Sequence, residues 1–265
     1  MAAAHPAPGW VAGAHRATRK RAHGGAAAAH RASRTPCSRG HGEAGLFRAR
    51  TARGEQLELQ GHGHTRDIGR AFSYEAFGDD IAGLVDLLRL GPADLLGYSL
   101  GASACLRAAI QHPDRVRRLA IVSIPCRRDG WFPEVLQGMS QVGSAQFDQM
   151  KQSEMYRAWA AVAPDPDAFP TLMDRTGALL LKPYDWSDEV RGLAMPVQLV
   201  YGDADSIPPS HAAEFFALLG GGLQDAGWDG ALRTDNRLCI IPGRTHYTIC
   251  AAPPLAGVID HFTLF

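Results

Sequence analysis

The run Leu95-Leu96-Gly97-Tyr98-Ser99-Leu100-Gly101-Ala102 constrains the fold of this chain more than any other stretch. Apolar residues lead to a serine flanked by glycines, and small helix-compatible residues follow. The pattern reads as a buried strand that turns sharply into a helix at Ser99. A serine on such a turn is held in a strained backbone conformation with its hydroxyl above the sheet edge, and Gly97 and Gly101 are expected to remove Cβ atoms that would clash across the turn. A helix beginning at Leu100 aims free amides at the same spot, so the Leu100 N–H is the expected donor to an oxyanion formed there.

The neighbouring pattern supplies a sheet for that turn. Leu57-Glu58-Leu59-Gln60 reads as a strand end, and Gly61-His62-Gly63-His64-Thr65 as a glycine turn whose histidines lack further partners at metal-ligand spacing. Ser73 can cap a helix carrying Ile81, Leu84, Val85, Leu87 and Leu88 at helical spacing before Gly91-Pro92 ends it. Ala93 to Tyr98 is a buried strand, Leu100 to Gln111 a helix, and Leu119 to Ile124 another apolar strand. Strand, helix and strand in close order predict an α/β fold with a mostly parallel sheet covered by helices on both faces. From about 126 to 193 the strand signal disappears, and Trp131, Met139, Phe147, Tyr156 and Trp159 instead suggest short amphipathic helices, the way a lid over a pocket would be encoded. The sheet resumes at Pro196 to Tyr201 and halts at Gly202-Asp203-Ala204-Asp205. After a helix through Phe215 and Leu219 and a glycine-rich loop from Gly220 to Asp235, it returns at Leu238 to Ile241 before Pro242-Gly243-Arg244-Thr245-His246, and a last helix is expected to run to the C-terminus.

Residues 1–56 differ from the rest. They are rich in Ala, Arg, Gly and His, carry ten basic residues against Glu43 alone up to Arg53, and show no apolar periodicity, so this segment is expected to be a disordered basic tail that supplies no strands. An out-of-frame start to the reading frame would produce the same junction near Leu57. The formal charge of the whole chain is zero, which favours neither nucleic acid nor an anionic membrane as partner. Five cysteines, odd in number and without C-x-x-C spacing, suggest neither a disulfide framework nor a zinc site. We read them as reduced thiols of a cytoplasmic protein, with Cys105 a packing residue. No apolar run is long enough for a transmembrane helix.

Three predicted strand ends carry a serine (Ser99), acids at 203 and 205, and a histidine (His246), and in a parallel sheet those ends lie along one edge. Serine needs a base within hydrogen-bond reach; a neutral histidine suits, and a carboxylate fixes its tautomer. Tyr98, Trp131 and Tyr247 are expected pocket walls.

With Gly97-Tyr98-Ser99-Leu100-Gly101, Gly202-Asp203-Ala204-Asp205 and Pro242-Gly243-Arg244-Thr245-His246 in this order, the chain resembles the α/β-hydrolase superfamily over residues 57 to 265. The Gly61 to Thr65 turn looks like that family's G-x-G-x-S/T segment. The resemblance implies hydrolysis of an ester, lactone or related small acyl substrate through an acyl-enzyme, without cofactor or metal. Ser99 would be the nucleophile, His246 the base and Asp205 the acid, with Asp203 as the alternative acid. Family members also carry earlier strands and an apolar strand running into His-Gly, whose loop supplies a second oxyanion amide. His23-Gly24-Gly25 is the only upstream His-Gly-Gly here and no buried strand precedes it, so that role is not carried over. Rival readings are a non-catalytic or impaired relative and a cofactor-free perhydrolase using the same residues.

Overall fold

The computed structural model describes residues 56–263. The expected tail and its missing strands concern residues 1–56, which but for Gln56 lie outside the described range, as do residues 264 and 265, to which the last helix is expected to run. Strands β1 (Ala93–Tyr98), β2 (Val116–Val122), β3 (Val197–Ala204) and β4 (Arg237–Thr245) form one parallel sheet in the order β1-β2-β3-β4. Successive residues of β2 show why its apolar run is continuous. Leu119 and Ile121 pack into one hydrophobic core, Ala120 and Val122 into the core on the opposite face, so neither face of the strand meets water.

Helices α1 (Tyr74–Leu87) and α2 (Leu100–Gln111) cover the first face. The Ser73 hydroxyl caps α1 by accepting the Ala76 N–H at 3.0 Å. A Cβ on Gly78 would stand 2.9 Å from the Ala108 nitrogen, so this glycine sets how closely α1 and α2 pack. On the other face Leu255, Ile259 and Phe262 of the last helix, Pro253–Thr263, bury against Ala120, Val122, Val200 and Ile241.

Between β2 and β3 lie five helices: α3 (Pro133–Met139), α4 (Phe147–Met150), α5 (Glu154–Ala160), α6 (Phe169–Leu180) and α7 (Ser187–Arg191). Phe169 joins them, with its ring centroid 5.0 Å from Tyr156, 5.0 Å from Trp159 and 6.1 Å from Phe147. The insertion leaves and rejoins the sheet at one neck, where Arg128 N–H donates to Tyr184 O at 2.9 Å and Trp186 N–H to Cys126 O at 3.0 Å. Beyond it, α8 (Pro209–Leu218) and the irregular segment 220–235 lead to β4.

Several local expectations require correction. Leu57 to Gln60 is not a strand: Leu59 is buried, the Glu58 side chain binds the following turn, and the Gln60 amide binds Asp67 and Arg70 beyond it. The Glu58 carboxylate accepts the His64 backbone N–H at 2.7 Å and faces His64 Nδ1 at 2.9 Å. A Cβ on Gly63, whose φ is +54°, would lie 2.3 Å from that carboxylate. Strand β3 runs through Gly202-Asp203 to Ala204, past the expected halt, and β4 runs through Pro242-Gly243 to Thr245. Pro242 is tolerated because β4 is an edge strand among the described residues, and the ladder absorbs the extension through a register shift between Gly202 and Ala204. Gly97 is required as expected, since a Cβ there would meet Ala102 Cα at 2.5 Å, but Gly101 faces open space and is not.

Candidate active site

Ser99 sits between β1 and α2 at φ +51°, ψ −126°, a backbone conformation that costs a non-glycine residue on the order of 1–3 kcal/mol. Hydrogen bonds on both sides hold it there: Ser99 N–H donates to Val122 O and Ser103 N–H to Ser99 O, each at 3.0 Å. Leu100 is the first residue of α2, so its N–H has no acceptor within the helix.

Strands β3 and β4 bring the other two groups to that hydroxyl. Ser99 Oγ lies 3.1 Å from His246 Nε2, and His246 Nδ1 lies 3.1 Å from Asp205 Oδ1. The Asp205 carboxylate can only accept, so Nδ1 carries the proton and Nε2 is left to accept from the serine. All three residues are buried. The carboxylate also accepts Ser206 N–H on Oδ1 at 2.7 Å, and on Oδ2 Gly202 N–H at 3.1 Å and the Ser123 hydroxyl at 2.5 Å. Asp203, the alternative acid, is exposed and its carboxylate binds Gly243 N–H at 2.7 Å. It holds the β4 backbone and does not face the histidine. A Cβ on Gly202 would stand 1.9 Å from Arg244 O, so glycine is what allows β3 and β4 to close up two residues before His246.

The three expected pocket walls surround the histidine ring. Ring centroids of Tyr98, Trp131 and Tyr247 lie 5.3, 5.5 and 5.4 Å from that of His246, the last two edge-on. Tyr98 donates its hydroxyl to His246 O at 2.7 Å, and burial raises the pKa of this phenol, keeping it a donor. Trp131, at the start of the insertion, donates Nε1–H to Tyr184 Oη at 3.1 Å. Tyr247 is half exposed at the rim. Beside Ser99 a narrow recess with space for about one water runs between α2 and the insertion, bounded by Tyr74, Ser103, Arg128, Met139, Leu180 and Tyr184. A wider groove lies at the opposite ends of β3 and β4, lined by Gln198, Arg237 and Leu238, away from Ser99.

Residues 57–158 match the family model described as alpha/beta hydrolase fold. A pimeloyl-[acyl-carrier protein] methyl ester esterase of Neisseria meningitidis serogroup B is 30% identical over 177 residues, which are 60% of this chain and 67% of the relative. The chain belongs to the α/β-hydrolase fold family. Its serogroup A counterpart is 29% identical over 177 residues, 60% of this chain and 55% of the relative, so this hydrolase-fold chain spans little more than half the length of some relatives it matches. The 2-(acetamidomethylene)succinate hydrolase of Mesorhizobium japonicum is 25% identical over 219 residues, 75% of this chain and 73% of the relative. Two solved structures share the fold. An E-2-(acetamidomethylene)succinate hydrolase has a TM-score of 0.56 at 21% identity, covering 77% of this chain and 79% of the other. A thermophilic esterase from Thermogutta terrifontis has a TM-score of 0.55 at 19% identity, covering 79% and 78%.

Within this α/β-hydrolase site, Ser123 is the residue that sequence reasoning missed. It follows β2 at φ +58°, its side chain is fully buried, and its hydroxyl reaches an acid 82 positions later. The available signal was a polar residue terminating an otherwise unbroken apolar strand next to the strand that carries Ser99. His62 and His64 are both held by the turn, His62 Nδ1 facing Gln60 O at 3.0 Å, and among the described residues no cluster of His, Cys, Asp and Glu is arranged to hold a metal.

Proposed function

We propose that this protein is a serine hydrolase that cleaves a small carboxylic ester through an acyl-enzyme. In this reading Ser99 attacks the ester carbonyl while His246 Nε2 takes its proton. The tetrahedral oxyanion forms against the Leu100 N–H, and His246 returns the proton to the departing alcohol. Water, deprotonated by the same nitrogen, then releases the acid. Asp205 holds the Nδ1–H tautomer and stabilises the imidazolium formed in each half. The observation that carries the reading is the continuous chain from Ser99 Oγ to His246 to Asp205, with both contacts at 3.1 Å and the serine on a left-handed strand-to-helix turn. Relatives named as methyl ester esterases agree with an ester as substrate. The insertion would act as the lid: its Trp131 covers the histidine, and its two ends meet at a single neck from which it could tilt.

A fluorophosphonate probe tests the assignment. It should label the wild-type protein and not Ser99→Ala, and the variant should lose hydrolysis of short p-nitrophenyl esters. Labelling that persists in Ser99→Ala refutes the nucleophile.

A further inference from the structure

The recess beside Ser99 has a polar lining that the hydrolytic steps do not use. Arg128 reaches it from the neck of the insertion, with Nε–H donated to Leu180 O at 3.1 Å. Among the described residues no carboxylate lies within 4 Å of its guanidinium. The adjacent Arg127, by contrast, binds both oxygens of Glu214 at 2.5 and 2.8 Å and also pairs with Asp129 at 2.7 Å. A half-buried guanidinium without a counter-ion, next to a nucleophile, is a place for an anion, and its planar fork suits a carboxylate. Around the same space stand three hydroxyls able to donate to that anion: Tyr74, Tyr184 and Ser103. Burial raises the pKa of both tyrosines, so they remain protonated donors.

We propose that this recess binds a free carboxylate on the acyl group of the substrate, making the preferred substrate the monoester of a short dicarboxylic acid. The ester carbonyl lies at Ser99 and the carboxylate on Arg128, with the tyrosine hydroxyls completing its shell. Met139 forms one wall, and its unbranched thioether can repack to admit the chain at low cost. At rest the recess holds about one water, so the acyl group enters only as Met139 gives way and is limited to a few carbons. No bond beyond those of ester hydrolysis is made or broken. This proposal takes Ser99 as the nucleophile, as above.

The test compares kcat/KM for the monomethyl esters of succinic, glutaric and adipic acid with neutral methyl esters of matched chain length. Wild-type protein should favour at least one anionic ester by about 30-fold, the worth of one charge-assisted hydrogen bond. Arg128→Gln should abolish that ratio, chiefly through KM, and Arg128→Lys should recover part of it. Binding is read separately by titrating the free diacids into Ser99→Ala, with binding lost in the Ser99→Ala, Arg128→Gln double variant. Hydrolysis of neutral esters with no anionic preference overturns the carboxylate site and leaves the esterase reading intact. Arg128-dependent diacid binding without hydrolysis or fluorophosphonate labelling supports the site and overturns the esterase reading. Diacid binding or a substrate ratio that Arg128→Gln leaves unmoved, in a variant whose thermal unfolding matches wild type, overturns the proposal.

Discussion

Replacing Asp205 by asparagine is a more informative perturbation than its near-isosteric character suggests, because every lone pair of this carboxylate is met by a donor. Oδ1 faces His246 Nδ1 and Ser206 N–H, and Oδ2 faces Gly202 N–H and the Ser123 hydroxyl. An amide offers one accepting oxygen and one donating nitrogen, so either orientation sets an NH2 against a backbone N–H. With the NH2 on the histidine side, Nδ1 must accept and the proton moves to Nε2, which destroys the base. With the NH2 on the other side the tautomer survives, but Gly202 N–H loses its acceptor and the imidazolium loses its counter-charge. The wrong tautomer alone can cost about ten-thousandfold in turnover. The stranded donor should cost about 1–3 kcal/mol of stability, which for a domain of this size lowers Tm by roughly 2–12 °C. Asp203→Asn provides the control, because its carboxylate is exposed and serves a single amide that an asparagine oxygen still accepts. It should stay within about threefold of wild type. Steady-state hydrolysis of p-nitrophenyl acetate and a thermal melt of each variant read both quantities. Asp205→Asn within tenfold of wild type, or Asp203→Asn equally impaired, would refute the assignment of the acid.

Two further outcomes follow from the same network. Ser123→Ala and Ser123→Gly both remove the hydroxyl donor to Asp205 and should lower kcat about tenfold with KM little changed; glycine accepts φ +58° without strain, so it should melt higher than alanine, and equal melting would contradict the strained geometry. His62 and His211 are buried, and desolvation lowers both pKa values below the usual 6.5. Below about pH 6.5 the unfolded chain therefore binds more protons than the folded one. Their contribution to stability is intact above that pH and is lost as pH falls through the folded-state values. Tm should fall between pH 7.5 and 5, less steeply in His62→Gln, and an unchanged slope in that variant would exclude His62 as a source.

The sequence shows its catalytic candidates because each follows an apolar run that only a buried strand explains. Ser99 follows β1, Asp205 follows β3, and His246 follows β4 in the order that one sheet edge requires. What escaped the sequence depends on neighbours distant along the chain. Ser123 looks like any strand-end serine until β3 brings Asp205 to it. Leu57 to Gln60 has the alternation of a strand, yet the Glu58 side chain is committed to the turn that follows and that of Gln60 to Asp67 beyond it, a choice that local pattern does not encode. Gly97 and Gly101 are indistinguishable as letters, and only the backbone of α2 lying against Gly97 separates the required glycine from the dispensable one. Arg127 and Arg128 are likewise adjacent and chemically identical, and the placement of Glu214 and Asp129 pairs the first while the second lines the recess.

The same long-range contacts explain why two serines can be held in left-handed conformations at the ends of adjacent strands. The backbone ladder continues past the strand ends: Ser99 N–H binds Val122 O, tying β1 to β2, and Ser123 N–H binds Val200 O, tying β2 to β3, each at 3.0 Å. Asp205 then joins the ends of β2 and β3 through Ser123 and Gly202, and Gly202 allows β4 to close on β3. Tyr98 completes the circuit by donating across the edge to His246 O at 2.7 Å, linking β4 back to β1. Each strained residue thus has both its backbone and its side chain anchored to a different strand, so the strain of about 1–3 kcal/mol at each cannot relax without breaking a ladder bond. The insertion adds only the edge of Trp131 to the histidine environment. The recess at Arg128 is therefore walled by the insertion, whereas Ser99, His246 and Asp205 are held by the ends of the sheet strands.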